Sequence, residues 1–170
     1  MSQNKRIIEV VSYNPTWEQK FKDEANKIEK IFKDIFVNIY HIGSTAVPTL
    51  KAKPIIDIMV EVKDINKVDR YNKQMKELGY VALGEYGIPQ RRFFQKGGNN
   101  RSHHVHIFQS GSSQIKRHID FRDYLISHPK IAKEYSSLKE NLAKKYHHDI
   151  DKYWEGKNSF IRKIDKLLCN

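Results

Sequence analysis

Between Tyr40 and Val62 the chain carries two apolar, strand-like segments joined by a polar connection that begins with Gly43-Ser44. A glycine at the end of a strand lets backbone N–H groups turn toward a bound anion, and the serine hydroxyl adds another donor. Gly43 and Ser44 are therefore read as a phosphate grip. The second segment, Pro54-Ile55-Ile56-Asp57-Ile58-Met59-Val60, holds one acid inside an apolar run. An ionised carboxylate is costly to bury unless it is paired or binds a metal, so Asp57 requires a partner.

Around this pair of strands the hydrophobic spacing lays out one domain spanning residues 1–170, with no linker, internal repeat or low-complexity tract. Ile7-Ile8-Glu9-Val10-Val11 is expected as a short strand or extended arm. Asn14 as N-cap and Pro15 at the first helical position open a helix expected to run to about Lys33, burying Trp17, Phe21, Ile28 and Phe32. Residues 36–42 alternate as a strand, and Pro54 opens the next. Residues 64–78 have helical spacing, with Gly79 as a stop. Further strands are expected at 80–83, 91–95 and 103–109, the last two joined by a Gly97-Gly98-Asn99-Asn100 turn. From Gln114 onward the pattern is helical, interrupted at His128-Pro129, with about five helices expected in all. The implied fold class is α/β (α+β): a mixed β-sheet flanked by helices, with a C-terminal helical cover.

Composition narrows the function classes. Hydrophobic residues make up 39% and charged residues 30%, which suits a folded domain and argues against disorder. No apolar run approaches the roughly 20 residues that span a bilayer. Met1 to Arg6 leads into the strand-like segment without a long apolar stretch, so no signal peptide is expected and the location is expected to be cytoplasmic. The single cysteine, Cys169, stands one residue from the C-terminus and makes a poor candidate nucleophile. A net charge of +11 favours an anionic partner, although many lysines are interspersed with Glu and Asp and read as solvated helix faces. Arg91, Arg92, Lys96, Arg101, Lys116 and Arg117 are less diluted by acids, and Phe93, Phe94 and several histidines lie among them.

The string HIGSTAVPTLKAKPIIDIMVEV resembles the signature of the GrpB-like family, a branch of the nucleotidyltransferase superfamily. The resemblance continues at Asn14-Pro15-Thr16-Trp17, at His104-Val105-His106-Ile107-Phe108, and from Arg117 through Leu125 to His128-Pro129. It implies a nucleotidyltransferase-like fold. In that superfamily a Gly-Ser pair ending one strand precedes two carboxylates, two residues apart, on the next strand. Gly43, Ser44 and Asp57 match, whereas the second carboxylate position holds Met59.

Side chains alternate along a strand, so Asp57, Met59 and Glu61 share one face. Glu61 would lie about 13 Å from Asp57, at about 3.3 Å per residue, too far to share an ion. His104 and His106 also alternate, and both would face one space if Val105 and Ile107 face the core. Two imidazoles beside one carboxylate suit a transition metal better than Mg²⁺. The expected metal ligands are accordingly Asp57, His104 and His106, with a divalent cation, Mg²⁺ or a transition metal, as cofactor. Asp57 and His106 are the expected catalytic residues. Lys53, Arg92 and Arg117 are expected to join Gly43 and Ser44 in holding phosphate. His41 reads as a satisfied core histidine, and Arg122 as part of a structural ion pair, since adjacent helix residues such as Arg122 and Asp123 do not face one another.

No P-loop, G-x-G-x-x-G, paired C-x-x-C or G-x-S-x-G motif is present, which excludes P-loop kinase, Rossmann, zinc-ribbon and serine-elbow readings. The leading expectation is a metal-dependent nucleotidyltransferase acting on a nucleoside triphosphate. Two alternatives remain open. One is a non-catalytic nucleotide or phosphate-binding module of the same fold, for which Met59 is the discriminating feature. The other is a basic RNA-binding accessory protein using the Arg91 to Arg101 hairpin, with Phe93 or Phe94 stacking on bases. The expected partner is a nucleotide or another phosphorylated small molecule, with nucleic acid possible and no membrane.

Overall fold

The computed structural model describes residues 7–169, so the leading segment 1–6 lies outside the described residues. Five strands form one mixed sheet: β1 (Phe36–Ile42), β2 (Ile56–Val62), β3 (Tyr80–Ala82), β4 (Arg92–Lys96) and β5 (His103–Gln109), in the order β1-β2-β5-β4-β3. Only the central pair, β2 and β5, is parallel. This is the mixed sheet flanked by helices that the sequence implies.

Strand alternation gives the sheet two different faces. On the first, Ile56, Ile58, Val60 and Val62 of β2 and Val105 and Ile107 of β5 are buried against α1 (Thr16–Phe32), a 3₁₀ segment (Ile65–Tyr71) and α2 (Asn72–Glu77). Burying each such side chain contributes about 1.5 to 3 kcal/mol, so the register of β2 is strongly fixed. That register sends Asp57 and Met59 to the second face. There Met59 and Phe108 pack with Ile42 and with Ile115 of α3 (Ser113–Ser127). Helices α4 (Pro129–Lys145) and α5 (Ile150–Leu168) complete the cover. Their apolar stripes meet α3 and the connection between β1 and β2 in a second core containing Leu50, Leu125, Tyr135 and Ile164.

Helix ends follow local chemistry. The Asn14 side-chain oxygen accepts from the Thr16 N–H at 2.9 Å and opens α1. Ser112 and Asp149 accept from the Gln114 and Lys152 N–H groups at the starts of α3 and α5. Pro129 stands at the first position of α4, where no N–H is needed.

Of the two readings offered for residues 7–11, the extended arm is the one observed: Val11 makes only an isolated bridge to Ala52, and the Ile8 N–H bonds the His147 carbonyl at 2.9 Å. The arm is extended because it is clamped between a loop and the end of α4, and it never reaches a sheet edge. Residues 64–78 form two short pieces, 3₁₀ then α, rather than one regular helix. This tighter coil accommodates Ile65 and Val68, both buried against the first face of the sheet.

Candidate functional site

The parallel register of β2 and β5 places Asp57 beside His104 and Met59 beside His106. All four side chains lie on the second face. The Asp57 carboxylate meets both imidazoles: Oδ1 is 3.2 Å from His104 Nδ1 and 3.4 Å from His106 Nε2. One ligand atom from each of the three residues falls within 4.8 Å of the others, a spacing that could hold one cation. Burial alone would raise the Asp57 carboxyl, but hydrogen bonds from His104 and His106 outweigh it and hold the group well below the usual carboxylate range. Burial also lowers the His106 imidazole, with Asp57 opposing. Phe93 of β4 lies under both rings, with centroids 5.3 and 5.1 Å away.

Arg91, just before β4, fixes the orientation of His106. Its Nε and Nη2 donate to the carbonyls of Glu85 and Tyr86 at 3.1 and 2.6 Å, and its Nη1 lies 3.3 Å from His106 Nδ1. A guanidinium only donates, so Nδ1 accepts and the neutral ring carries its proton on Nε2, toward Asp57. A cation held here would displace the N–H hydrogens that now point at Oδ1; a neutral His106 bound through Nε2 would then carry its proton on Nδ1, and Arg91 Nη1 would have to turn away from it. The donor set, one carboxylate and two imidazoles, suits a first-row transition metal. At the position of the second superfamily carboxylate, Met59 is fully buried in apolar contacts and offers no ligand. Glu61 lies farther along the strand, where Tyr40 and Ser110 donate to it at 3.1 and 2.6 Å.

Gly43 ends β1 directly against this group. Its φ is 72°, and a Cβ there would fall 2.8 Å from Asp57 Oδ2. Ser44 then starts a single 3₁₀ turn, and its hydroxyl accepts from the Lys139 ammonium at 2.8 Å. Lys139 of α4 also donates to the Lys51 carbonyl and lies over the Tyr135 ring, 4.6 Å from its centroid. Lys157 of α5 lies over Trp154 and Tyr153, at 4.1 and 4.7 Å. Lys53 meets the Tyr153 and Trp154 rings at 5.1 and 5.2 Å. Lys139 and Lys157 are 2% and 6% exposed, and among the described residues neither has a carboxylate within ion-pair distance. Burial, with repulsion from Lys53 outweighing attraction to Asp57, pushes Lys157 down to about 7. Burial and repulsion from Lys157 and Lys53 also hold Lys139 well below the ordinary lysine range. Two buried lysines without an ion-paired carboxylate beside a serine hydroxyl form an arrangement that could hold an anion.

Two connected hollows open on this chemistry. A small one of about 70 Å³ is lined by Ser44, Lys53, Asp57, His104, Lys139 and Lys157. A larger one of about 280 Å³ shares Ser44, Asp57 and Lys157 and extends past His106, His118 and Phe121 to Arg117 and Asp165. His118 lies 5.8 Å from the His106 ring and donates from Nδ1 to the Gln114 carbonyl at 2.7 Å. Burial lowers it to about 4.

The structure thus brings Gly43, Ser44, Lys53, Asp57, His104 and His106 together, with Arg117 on the wall of the larger hollow and paired with Asp165 at 2.7 Å. It does not bring Arg92. Alternation on β4 turns Phe93 toward the histidines and Arg92 to the opposite face, where it pairs with Asp69 at 2.9 Å. Arg91 takes the place expected of Arg92. The RNA-stacking expectation also fails on geometry, because Phe93 and Phe94 are 5% and 1% exposed and offer no platform. His41 is held by Thr45 at 2.9 Å and stacks on Phe21, as a satisfied histidine does. Arg122 bonds its neighbour Asp123 at 2.8 Å after all, because its Nη1, reaching the His41 carbonyl at 3.0 Å, swings the guanidinium along the helix surface. Sequence reasoning missed Lys139, Lys157 and His118, and placed Arg91 only within the basic cluster, preferring Arg92.

Comparison with known proteins agrees with this architecture. The chain is 45% identical to UPF0157 protein YqkA of Bacillus subtilis over 95% of its own length, but spans only 47% of that relative. It is 35% identical to the glutamate-rich protein GrpB of Alkalihalophilus pseudofirmus, covering 95% of each. The crystal structure of conserved protein GrpB from Enterococcus faecalis superposes with a TM-score of 0.89 at 44% identity, over 93% of this chain and 95% of that one. The structure of Cid1 in complex with the UTP analog UMPNPP matches at a TM-score of 0.51 and 12% identity, over 79% of this chain and 43% of that one, a likeness of fold alone. A family model described as GrpB protein matches residues 7–167, and the chain belongs to the GrpB family.

Proposed function

We propose that this chain binds a nucleoside triphosphate in the cleft between the sheet and α4–α5, and transfers a nucleotidyl group with the help of a divalent cation. The observation that carries the reading is the shared lining: Asp57 and His104 line the small hollow with Ser44, Lys139 and Lys157, and His106 lines the larger hollow, which shares Ser44, Asp57 and Lys157 with it. Gly43 lets the ligand and the Asp57 carboxylate approach the same turn. Ser44, Lys53, Lys139 and Lys157 hold phosphate oxygens and offset their charge. Asp57, His104 and His106 would hold the cation, which would neutralise phosphate charge and orient in-line attack. Arg91 and Phe93 keep the His106 ring in place. The likeness to Cid1, solved with a UTP analog and with MgGTP, supports a nucleotide as the ligand class.

Calorimetric titration with ATP and with inorganic tripolyphosphate, in Mn²⁺ and in its absence, tests the reading. Ser44→Ala should weaken tripolyphosphate binding by about 1 to 3 kcal/mol, as for a hydrogen bond to a charged group, and Lys139→Met by at least as much. Parental affinity in both variants would overturn the phosphate assignment. Release of pyrophosphate from labelled nucleotide, lost in Asp57→Asn, separates transfer from binding. Tight binding with no release under any acceptor condition would favour the non-catalytic module.

A further inference from the structure

We propose that the larger, apolar end of the cleft is a nucleobase pocket selecting bases that present an amino group, with Asp165 of α5 as the selecting residue. The inference rests on the nucleotide reading above, which fixes a phosphate chain at the Ser44 end of the same hollow. Its own evidence is a buried acceptor. Both Arg117 donors, Nε at 3.0 Å and Nη2 at 2.7 Å, converge on Asp165 Oδ2. Asp165 Oδ1 is buried from solvent and has no hydrogen-bond partner. A buried polar atom left without a partner costs about 1 to 3 kcal/mol and more when charged, so folded chains keep few of them. Asp165 lines the roughly 280 Å³ hollow, whose other walls include Ile42, Phe121, Tyr135, Trp154 and Ile161, and which reaches Ser44 and Asp57. Its size is close to the lower end of small-molecule pockets, about 300 to 1,000 Å³.

The chemistry of the free oxygen selects the base. A carboxylate oxygen only accepts, so the ligand must bring an N–H. The exocyclic amino groups of adenine, cytosine and guanine project clear of the ring and can reach a single oxygen. Uracil offers only its ring N3–H, set between two carbonyls whose lone pairs would face the same carboxylate. Apolar and aromatic side chains supply faces for a flat ring. Arg117 holds the carboxylate from the other side through Oδ2, so binding needs only a local shift of the side chains that cover Oδ1.

Equilibrium titration of the full chain with ATP, CTP, UTP, purine riboside triphosphate and inorganic tripolyphosphate tests this. ATP and CTP should bind at least about tenfold tighter than UTP, purine riboside triphosphate and tripolyphosphate, about 1.4 kcal/mol per tenfold. Asp165→Asn should reduce the ATP-to-UTP ratio to near unity while leaving tripolyphosphate affinity unchanged. UTP binding as tightly as ATP, or an unchanged ratio in Asp165→Asn, would overturn the proposal. Equal binding of tripolyphosphate and every nucleotide would also overturn it while leaving the phosphate site intact. Failure of tripolyphosphate and all nucleotides to bind would remove the nucleotide reading and this inference with it. The comparison of ATP with purine riboside triphosphate uses the unaltered protein, so it decides the matter even where the variant does not fold.

Discussion

At position 43 the backbone takes a φ of 72°, and an added methyl would lie 2.8 Å from Asp57 Oδ2. Gly43→Ala should therefore cost about 1 to 3 kcal/mol in urea denaturation and, by displacing the carboxylate, weaken Mn²⁺ binding. Unchanged metal affinity in a folded variant would show that the turn does not position Asp57. Lys157 gives a second expectation. Its folded value of about 7 lies below the 10.5 of an exposed lysine, so between those values the unfolded chain binds a proton that the folded chain does not. Stability should rise with pH across that window, and the full penalty applies below about 7. Lys157→Met should be more stable than the parent at pH 6.5 by an amount on the order of 2 kcal/mol, with the gain fading by pH 10, while tripolyphosphate affinity drops. A pH-independent difference would mean that Lys157 is not buried as a charge. These residues differ in how plainly the sequence announces them. Asp57, His104 and His106 stand out because an acid in an apolar strand and an alternating histidine pair are both unusual. Lys139 and Lys157 do not, because they are two among 31 lysines and arginines, and only the packing of α4 and α5 turns them inward. Arg92 was misplaced by one position: alternation, applied to Phe93 as it was to the histidines, favours Arg91.

At the scale of elements, Lys139 reaches Ser44 and Lys157 lines the same hollow because α4 and α5 pack closely. Gly156, next to Lys157, has Leu142, one turn after Lys139, where its side chain would be: a Cβ would fall 2.3 Å from Leu142 Cδ2. Leu142 also packs toward the cluster of Ile8, Ala143 and Tyr153, which restricts its retreat. Gly156→Ala should lower stability by about 1 to 3 kcal/mol despite the better helix propensity of alanine. By separating the helices it should also reduce tripolyphosphate affinity, measured beside the unfolding midpoint. A stabilised variant with parental affinity would show that Leu142 simply turns aside. Sequence spacing made the strands at 36–42 and 103–109 and the break at His128-Pro129 plain, because alternation and proline act locally. The arm at 7–11 and the 3₁₀ piece at 65–71 were less legible, because the partners that shape them lie far along the chain.

For the whole molecule, a net charge of +11 draws anions generally, but exposed lysines are screened by salt whereas a buried cradle is not. The sheet supplies the Asp57–His104–His106 set and the helical cover supplies Lys139 and Lys157, so two ligands, cation and polyphosphate, would meet at the boundary between the two layers. Ligands of opposite charge in adjacent positions should strengthen each other reciprocally. Each one alone should raise the unfolding free energy by about 2.7 kcal/mol at a hundredfold excess over its Kd. Mn²⁺ and tripolyphosphate together should raise it by more than the sum, after correction for their association in solution. The excess should survive an ionic strength of about 1 M, where the Debye length is about 3 Å. Asp57→Asn should abolish the excess yet leave the shift with tripolyphosphate alone at least as large as in the parent, because a negative charge beside the lysines has gone. Simple additivity in the parent, measured by thermal or chemical unfolding, would show that sheet and cover hold two separate sites rather than one cleft.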